Sequence, residues 1–507
     1  RMPLADYGNR IPQLSFEVYH NLAGSNDTIR GVVVIPGSGE FVYATEPVRE
    51  TLGDGVANVI NAHQRQAATD WDAAIDQLEA TLPNATSVSL VVSWFGTDLR
   101  AGQCQIVPGV EDATTITEPL VWSVAGLSRA SAHVVSKKDG RPAYGGTPSD
   151  STVIAAIRDL KARGMSVTLT PFILMDVAGD NSLPDPYGAS AQAAYPWRGR
   201  IVCDPAPGRP ATVDATPAAA SQVAAFFGSP APGASEWSYR RFVLHCADLC
   251  AQAGGVDAFL VGSELVALTR VRSSPGVYPA TQALATLAAD VKVKLGGATK
   301  VSYAADWTEY GAHVLNGGAE VRFPLDVLWS SAAVDFVGLD AYWPLSDWRD
   351  GPHLDAAEAD DIYDLAYLTR RIGAGEAYDW FYADDIARVR CELFGSLAKT
   401  GKGHGTDLAV VLGETDPMVA DLLTVAVHGE VDVGRERLRT GGDKQRGKCD
   451  KHHTKHSRLL CRTIRSQRKS RCAASRASGS GCNRSSTRST CSIAPRAVAC
   501  SNSAAYL

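Results

Sequence analysis

Carboxylates and aromatic rings recur in one kind of place in this sequence, directly after a short apolar run. The instances are Trp94-Phe95, Met175-Asp176, Ser263-Glu264, Asp306-Trp307 and Asp340-Ala341-Tyr342-Trp343, and a further run, Leu408-Ala409-Val410-Val411-Leu412-Gly413, ends in Glu414. Acids beside flat rings suit glycosidic bond cleavage: one carboxyl protonates the leaving oxygen, a second acts as nucleophile or base, and rings stack on sugar faces. Glu264 is the leading catalytic candidate. A Glu that closes the apolar stretch Phe259-Leu260-Val261-Gly262-Ser263 is expected to be partly desolvated, which raises a carboxyl toward the range of a working acid. The plainer role for such a residue is a helix cap or an ion pair with an Arg such as Arg270, and strand-end acids mark sites only by frequency. Asp306 and Asp340 carry the same two readings, as substrate-binding acids or as caps. Trp94, Trp307, Tyr342 and Trp343 are candidate sugar platforms, with rim packing as the competing role. Glu414 is a candidate nucleophile on a less specific signal, since a strand followed by Glu is a common pattern.

Such residues need a scaffold that gathers strand ends on one face. From Trp71 onward, helix-like and strand-like segments alternate, separated by Gly, Pro or Asn, which is the pattern of βα units and a parallel sheet. A helix over 71–82 leads to a strand over 88–94. Asp150 is placed to cap a helix whose Val153, Ile154, Ile157 and Leu160 share one face, ending at Gly164 before a strand over 167–175. Phe242, Cys246, Leu249, Cys250 and Ala253 share a helical face that stops at Gly254-Gly255, before a strand over 258–262. A helix over 281–295 precedes a strand over 301–305, and a last strand is expected over 334–339 with no clear helix before it. In a (β/α)8 TIM barrel the C-terminal strand ends form the active face, whereas a doubly wound sheet gathers its ligand at one crevice. No glycine-rich nucleotide loop follows any strand, so the barrel is the expected α/β fold.

The chain has 507 residues, 45% of them hydrophobic and 21% charged, and this excludes a disordered or fibrous class. It is long enough for about three average domains or one large barrel with extensions. No apolar run is long enough to span a membrane, and the first residues lack the basic-then-apolar pattern of a signal peptide. His63, His133, His245 and His313 lack metal-ligand spacing, so neither metal nor cofactor is expected, and Cys246 and Cys250 read as reduced core residues. The net charge of −6 hides a seam. Residues 435–507 hold 18 Lys and Arg against 3 Asp and Glu, with six of the eleven cysteines and one aromatic, Tyr506. The other 434 residues carry a net charge of −21. The basic tail lacks the aromatics that stack on nucleic acid and the paired cysteines of a zinc knuckle. It also lacks hydrophobic periodicity, so it is expected to be disordered or the product of a GC-rich gene read out of frame.

Several longer stretches resemble a known family. They are Leu4-Ala5-Asp6-Tyr7-Gly8-Asn9-Arg10, Leu99-Arg100-Ala101-Gly102-Gln103-Cys104, Arg141-Pro142-Ala143-Tyr144-Gly145-Gly146-Thr147-Pro148-Ser149-Asp150, Tyr195-Pro196-Trp197-Arg198-Gly199-Arg200, Gly262-Ser263-Glu264-Leu265, Tyr303-Ala304-Ala305-Asp306-Trp307, Pro344-Leu345-Ser346-Asp347-Trp348-Arg349-Asp350-Gly351 and Tyr378-Asp379-Trp380-Phe381-Tyr382. Together they resemble the glycoside-hydrolase-like TIM-barrel domain of the large baseplate hub protein of gene transfer agents and related phage-like tails. The resemblance implies a tail-hub stub over 1–34, the barrel over 35–395, a degenerate barrel end over 396–434 and the basic tail beyond. It places Glu264, Asp306 and Asp340 at the ends of the fourth, fifth and sixth strands. It implies cell-surface or cell-wall polysaccharide and other tail proteins as partners, and a protein made in the cytoplasm and then built into a particle tail; nucleic acid is not an expected partner, because the basic tail lacks stacking aromatics. The family continues past about residue 383 with a Trp-Phe-Thr-Glu strand that this sequence lacks, so the barrel is expected to be incomplete and this copy inactive as a hydrolase.

Overall fold

The computed structural model describes residues 29–35, 39–53, 55–341, 346–349, 353–372, 380–382 and 393–396. Six parallel strands form its main sheet in chain order: β1 (Gly31–Val34), β2 (Ser87–Gly96), β3 (Ser166–Met175), β4 (Ala258–Ser263), β5 (Lys300–Asp306) and β6 (Gly338–Asp340). Parallel neighbours need a crossover, and helices supply it here. These are α1 (Asp70–Thr81), α2 (Asp150–Ala162), α3 (Pro217–Phe227), α4 (Tyr239–Gln252), the short α5 (Val266–Thr269) and α6 (Pro279–Leu295). Strands in sequence order, each followed by a helical return, make an incomplete (β/α)8 barrel, six of whose strands lie among the described residues. The expected α/β barrel is the observed fold.

The spine is the β2–β3 pair, in continuous register from Ser166 opposite Ser87 to Met175 opposite Gly96. Nearly every residue of both strands is buried, as expected of a sheet covered on one face by helices and on the other by its own interior. Helix α2 packs Val153, Ala156, Ile157 and Leu160 inward and ends before Gly164, whose positive φ turns the chain into β3. The N-cap of α2 is Ser149 rather than Asp150. The Asp150 carboxylate is held instead by His245 Nε2 at 2.8 Å and the Ala125 N–H at 3.0 Å, which ties α2 to α4. On α4, Cys246 and Cys250 are buried and free, and burial pushes both thiols up.

Three boundaries differ from expectation. Gly31–Val34, assigned from the sequence to the stub, pairs in parallel with Ser87–Leu90 as the barrel's first strand, so the barrel reaches back at least to Gly31. The sixth strand spans 338–340 instead of 334–339. Val334 closes a turn onto Ser331, and the Asp335 carboxylate accepts from the Val301 N–H and pairs with Lys292, which holds that segment at the foot of β5. Helix α3, an Ala-rich segment opened by Pro217 at its first turn, was not anticipated from periodicity. Among the described residues no helix is long and apolar enough to cross a membrane.

Candidate active site

The strand ends after β3, β4, β5 and β6 bring Asp176, Glu264, Asp306 and Asp340 to one end of the sheet. Glu264 occupies an unusual piece of backbone. The β4–β5 register shifts between Leu260 and Ser263, Gly262 takes φ +143° and Glu264 itself takes φ +52°. A left-handed Glu costs about 1–2 kcal/mol and persists only where its surroundings over-determine it. Here the Glu264 N–H donates to Ala304 O at 2.9 Å, and the Leu265 N–H donates to the Tyr303 hydroxyl at 2.7 Å. Tyr303 in turn donates to Glu309 at 2.9 Å. Glu309 is buried and also accepts from Thr269 Oγ1 and the Asp306 N–H; burial pushes it up to about 7 against these hydrogen bonds.

The Glu264 carboxylate is 3% exposed. Its Oε2 accepts from Trp197 Nε1 at 2.8 Å and pairs with Arg198 Nη2 at 2.9 Å. The same guanidinium donates to Ser263 O and Ser263 Oγ and lies 3.7 Å from the centre of the Phe172 ring. Glu264 Oε1 is buried with no donor on it among the described residues. Burial, and after it the nearby Glu264 charge, push the Asp340 carboxyl well above its ordinary range, while Arg198 acts in the opposite sense. Asp340 therefore keeps its proton to higher pH than an ordinary Asp.

That shift fixes the sign of a pH effect. The folded chain keeps the Asp340 proton to higher pH than the unfolded chain, so the stability it gives is complete below about pH 4, the ordinary Asp range, and is lost as pH rises through the raised value. Asp340→Asn cannot titrate. In urea unfolding at a series of pH values the variant should gain on the wild type as pH rises above about 4, and a gap that stays constant would rule out a raised Asp340 carboxyl.

Asp306 does what the plainer reading of the sequence offered. Its Oδ1 accepts from the Thr308 N–H at 2.8 Å and from the Thr308 hydroxyl, capping the short helix α7 (Trp307–Tyr310), with Glu309 completing the capping box. It still lies close enough to Asp340 to raise that group. Trp307 opens α7 half-buried. Trp94 is corrected: it has no exposed surface, stacks on Phe242 at 5.0 Å and meets Trp237 and His245, so it packs the sheet to the helix layer and is not available to a sugar. Glu264 pairs with Arg198, not with Arg270, which donates to Thr308 O. Tyr342, Trp343 and Glu414 lie outside the described residues.

Residues that the site reading missed include Trp197 and Arg198 from the loop after β3, and Tyr303 and Glu309 behind Glu264. Beside them, Asp176 accepts from Ser136 Oγ at 2.5 Å and from the Ser136 N–H at 3.0 Å, and lies 2.7 Å from His133 Nε2. Burial works against its charge, yet these partners hold its carboxyl below the usual range. Among the described residues no group of three or more His, Cys, Asp or Glu side chains is arranged to hold a metal ion.

Residues 237–394 match the family model of the GTA TIM-barrel-like domain. The match takes in β4, β5 and β6, and therefore Glu264, Asp306 and Asp340, but not the Trp197–Arg198 loop. A second model, the serine dehydratase beta chain, matches residues 375–453, which contain Glu414 and the 396–434 segment. No curated protein matches the sequence. Solved structures similar to the chain include the GH113 β-mannanase from Alicyclobacillus acidocaldarius in complex with ManMIm, at 16% identity, with 64% of each chain covered and a TM-score of 0.31. Others are a GH113 β-1,4-mannanase at 15% identity, covering 64% of this chain and 65% of that one with a TM-score of 0.29, and a GH113 β-1,4-mannanase complex at 17% identity, covering 52% and 54% with a TM-score of 0.26. The chain thus spans less than two thirds of the length of these structures, and likeness at this level assigns no chemistry to it.

Proposed function

We propose that this barrel end engages a cell-envelope polysaccharide as a glycoside-hydrolase-like module of a phage-like tail hub of the gene-transfer-agent kind, and that it binds the glycan without cleaving it. The observation that carries the reading is the Glu264–Asp340 pair. A carboxyl pushed toward its protonated form near a second one paired with an Arg, at the C-terminal end of barrel strands, resembles the arrangement that glycoside hydrolysis uses. The access does not. Retaining and inverting pairs leave a sugar or a water between the two carboxyls. Here Glu264 Oε2 is already occupied by Trp197 and Arg198, and its Oε1 is buried. The family match over residues 237–394, to a GTA TIM-barrel-like domain, supports the barrel part of this reading.

The test uses the full chain with purified peptidoglycan and capsular polysaccharide. Cosedimentation with no release of reducing ends is the expected result, and Glu264→Gln should leave binding within a few-fold of the wild type. Release of reducing ends by the wild type that disappears in Glu264→Gln would overturn non-cleavage and make Glu264 a catalytic residue.

A further inference from the structure

Most polar groups around Glu264 are buried; Trp197 is the exception. Trp197 is 43% exposed, yet its indole N–H donates at 2.8 Å to the carboxylate of Glu264, which is almost fully covered. The opposite edge of the ring lies against Gly199, where a Cβ would come within 2.5 Å of the six-membered ring atoms. The ring is thereby fixed at both edges while much of its surface faces solvent. Its neighbours along the chain point elsewhere: Arg198 turns inward to Glu264 and Phe172, and Tyr195 sits at φ +47° with its hydroxyl 3.2 Å from Ser136 Oγ. An immobilised, half-open indole loses little conformational entropy when a ligand stacks on it, which is what a sugar platform needs.

We propose that Trp197 is the stacking platform of this site and that the sugar it takes is neutral. This inference rests on the glycan reading above. The class follows from what surrounds the ring: Asp176, Glu264, Asp306 and Asp340 stand at the same barrel end, and Arg198, the cation beside Trp197 in the chain, is committed to Glu264 and Ser263. A uronic acid polymer would bring its own carboxylates to this acid-rich end, whereas a neutral pyranose lays its C–H face on the indole at no such cost.

The test measures binding of the full chain to chito-, manno- and cello-hexasaccharides and, as the anionic control, to a hexagalacturonate. At least one neutral hexamer should bind, the hexagalacturonate should not, and Trp197→Ala should weaken binding about tenfold, the equivalent of about 1.4 kcal/mol. Trp197→Phe keeps a ring but loses the N–H donor to Glu264, and should stay within about threefold of the wild type, which separates stacking from support of the carboxylate. If Trp197→Ala does not fold, protection of Trp197 from N-bromosuccinimide by the bound hexamer, read by peptide mapping, gives the answer on the wild type. A neutral hexamer bound equally well by Trp197→Ala, or without protecting Trp197, overturns the platform while leaving the glycan reading intact. Binding of the galacturonate alone overturns the sugar class, and binding of none overturns both.

Discussion

Arg198→Met should cost about 3–5 kcal/mol of folding free energy, the range for removing one member of a buried ion pair. The reason is the charge left behind: Glu264 is 3% exposed and Arg198 is the cation on it, so the variant must either bury a bare carboxylate or protonate it. Because protonation is the cheaper escape, the loss should grow with pH. Removing both charges is another matter, since a buried pair replaced by uncharged side chains is often close to neutral. Arg198→Met combined with Glu264→Gln should therefore recover most of the loss. The remainder reflects the two hydrogen bonds to Ser263 and the packing on Phe172. Guanidinium unfolding of the two single variants and the double variant checks this, and a single-variant loss below about 1 kcal/mol would show that the pair is not buried as described.

A second large effect is expected at Gly262. A Cβ there would lie 1.7 Å from the Tyr239 hydroxyl, and φ +143° is a backbone conformation that only glycine adopts without strain. Gly262→Ala should lower stability by about 3 kcal/mol or more, since overpacking and backbone strain act together. Adding Tyr239→Phe removes the clashing oxygen, but leaves the strained φ and deprives Val261 O of the hydroxyl that donates to it at 2.7 Å, so it should restore only part of the loss. Thermal unfolding of the two variants beside the wild type decides the matter. A Gly262→Ala chain as stable as the wild type would mean that β4 does not approach Glu264 in this way.

The scaffold was legible in the sequence because its signals are local. Apolar spacing on α2 and α4 and glycines at the helix ends mark the βα units, and Glu264, Asp306 and Asp340 fall at strand ends as the chain order requires. Trp94 was misread for a physical reason. In a strand buried on both faces, neither hydrophobicity nor alternation says which residues face the barrel interior and which face the helices. Trp94 faces α4, while its neighbour Phe95 joins a separate cluster with Val107 and Val135. The partners of Glu264 were illegible for another reason. Trp197 and Arg198 sit 67 and 66 positions before it in an irregular loop without period, and Glu309 reaches the site only through the Tyr303 hydroxyl. The one usable signal was an aromatic beside a cation in Tyr195-Pro196-Trp197-Arg198-Gly199-Arg200, which has many commoner explanations.

The strands are joined very unevenly. β2 and β3 are paired along ten residues, whereas β6 is held to β5 along three, from Ala304 opposite Gly338 to Asp306 opposite Asp340. Asp340 therefore rides on a joint of three residues at the last described strand, while the Glu264 N–H is tied to β5 through Ala304 O; β3 and β4 share two register pairs, Thr168 opposite Ala258 and Leu169 opposite Phe259, far from Glu264. In amide exchange the β2–β3 spine should be the slowest part of the molecule and β6 one of the fastest among the six strands. The separation of the two carboxyls, the quantity that divides a sugar-holding face from a sugar-cutting one, thus depends on a joint only three residues long. A modest outward swing of three residues would change it without disturbing the core.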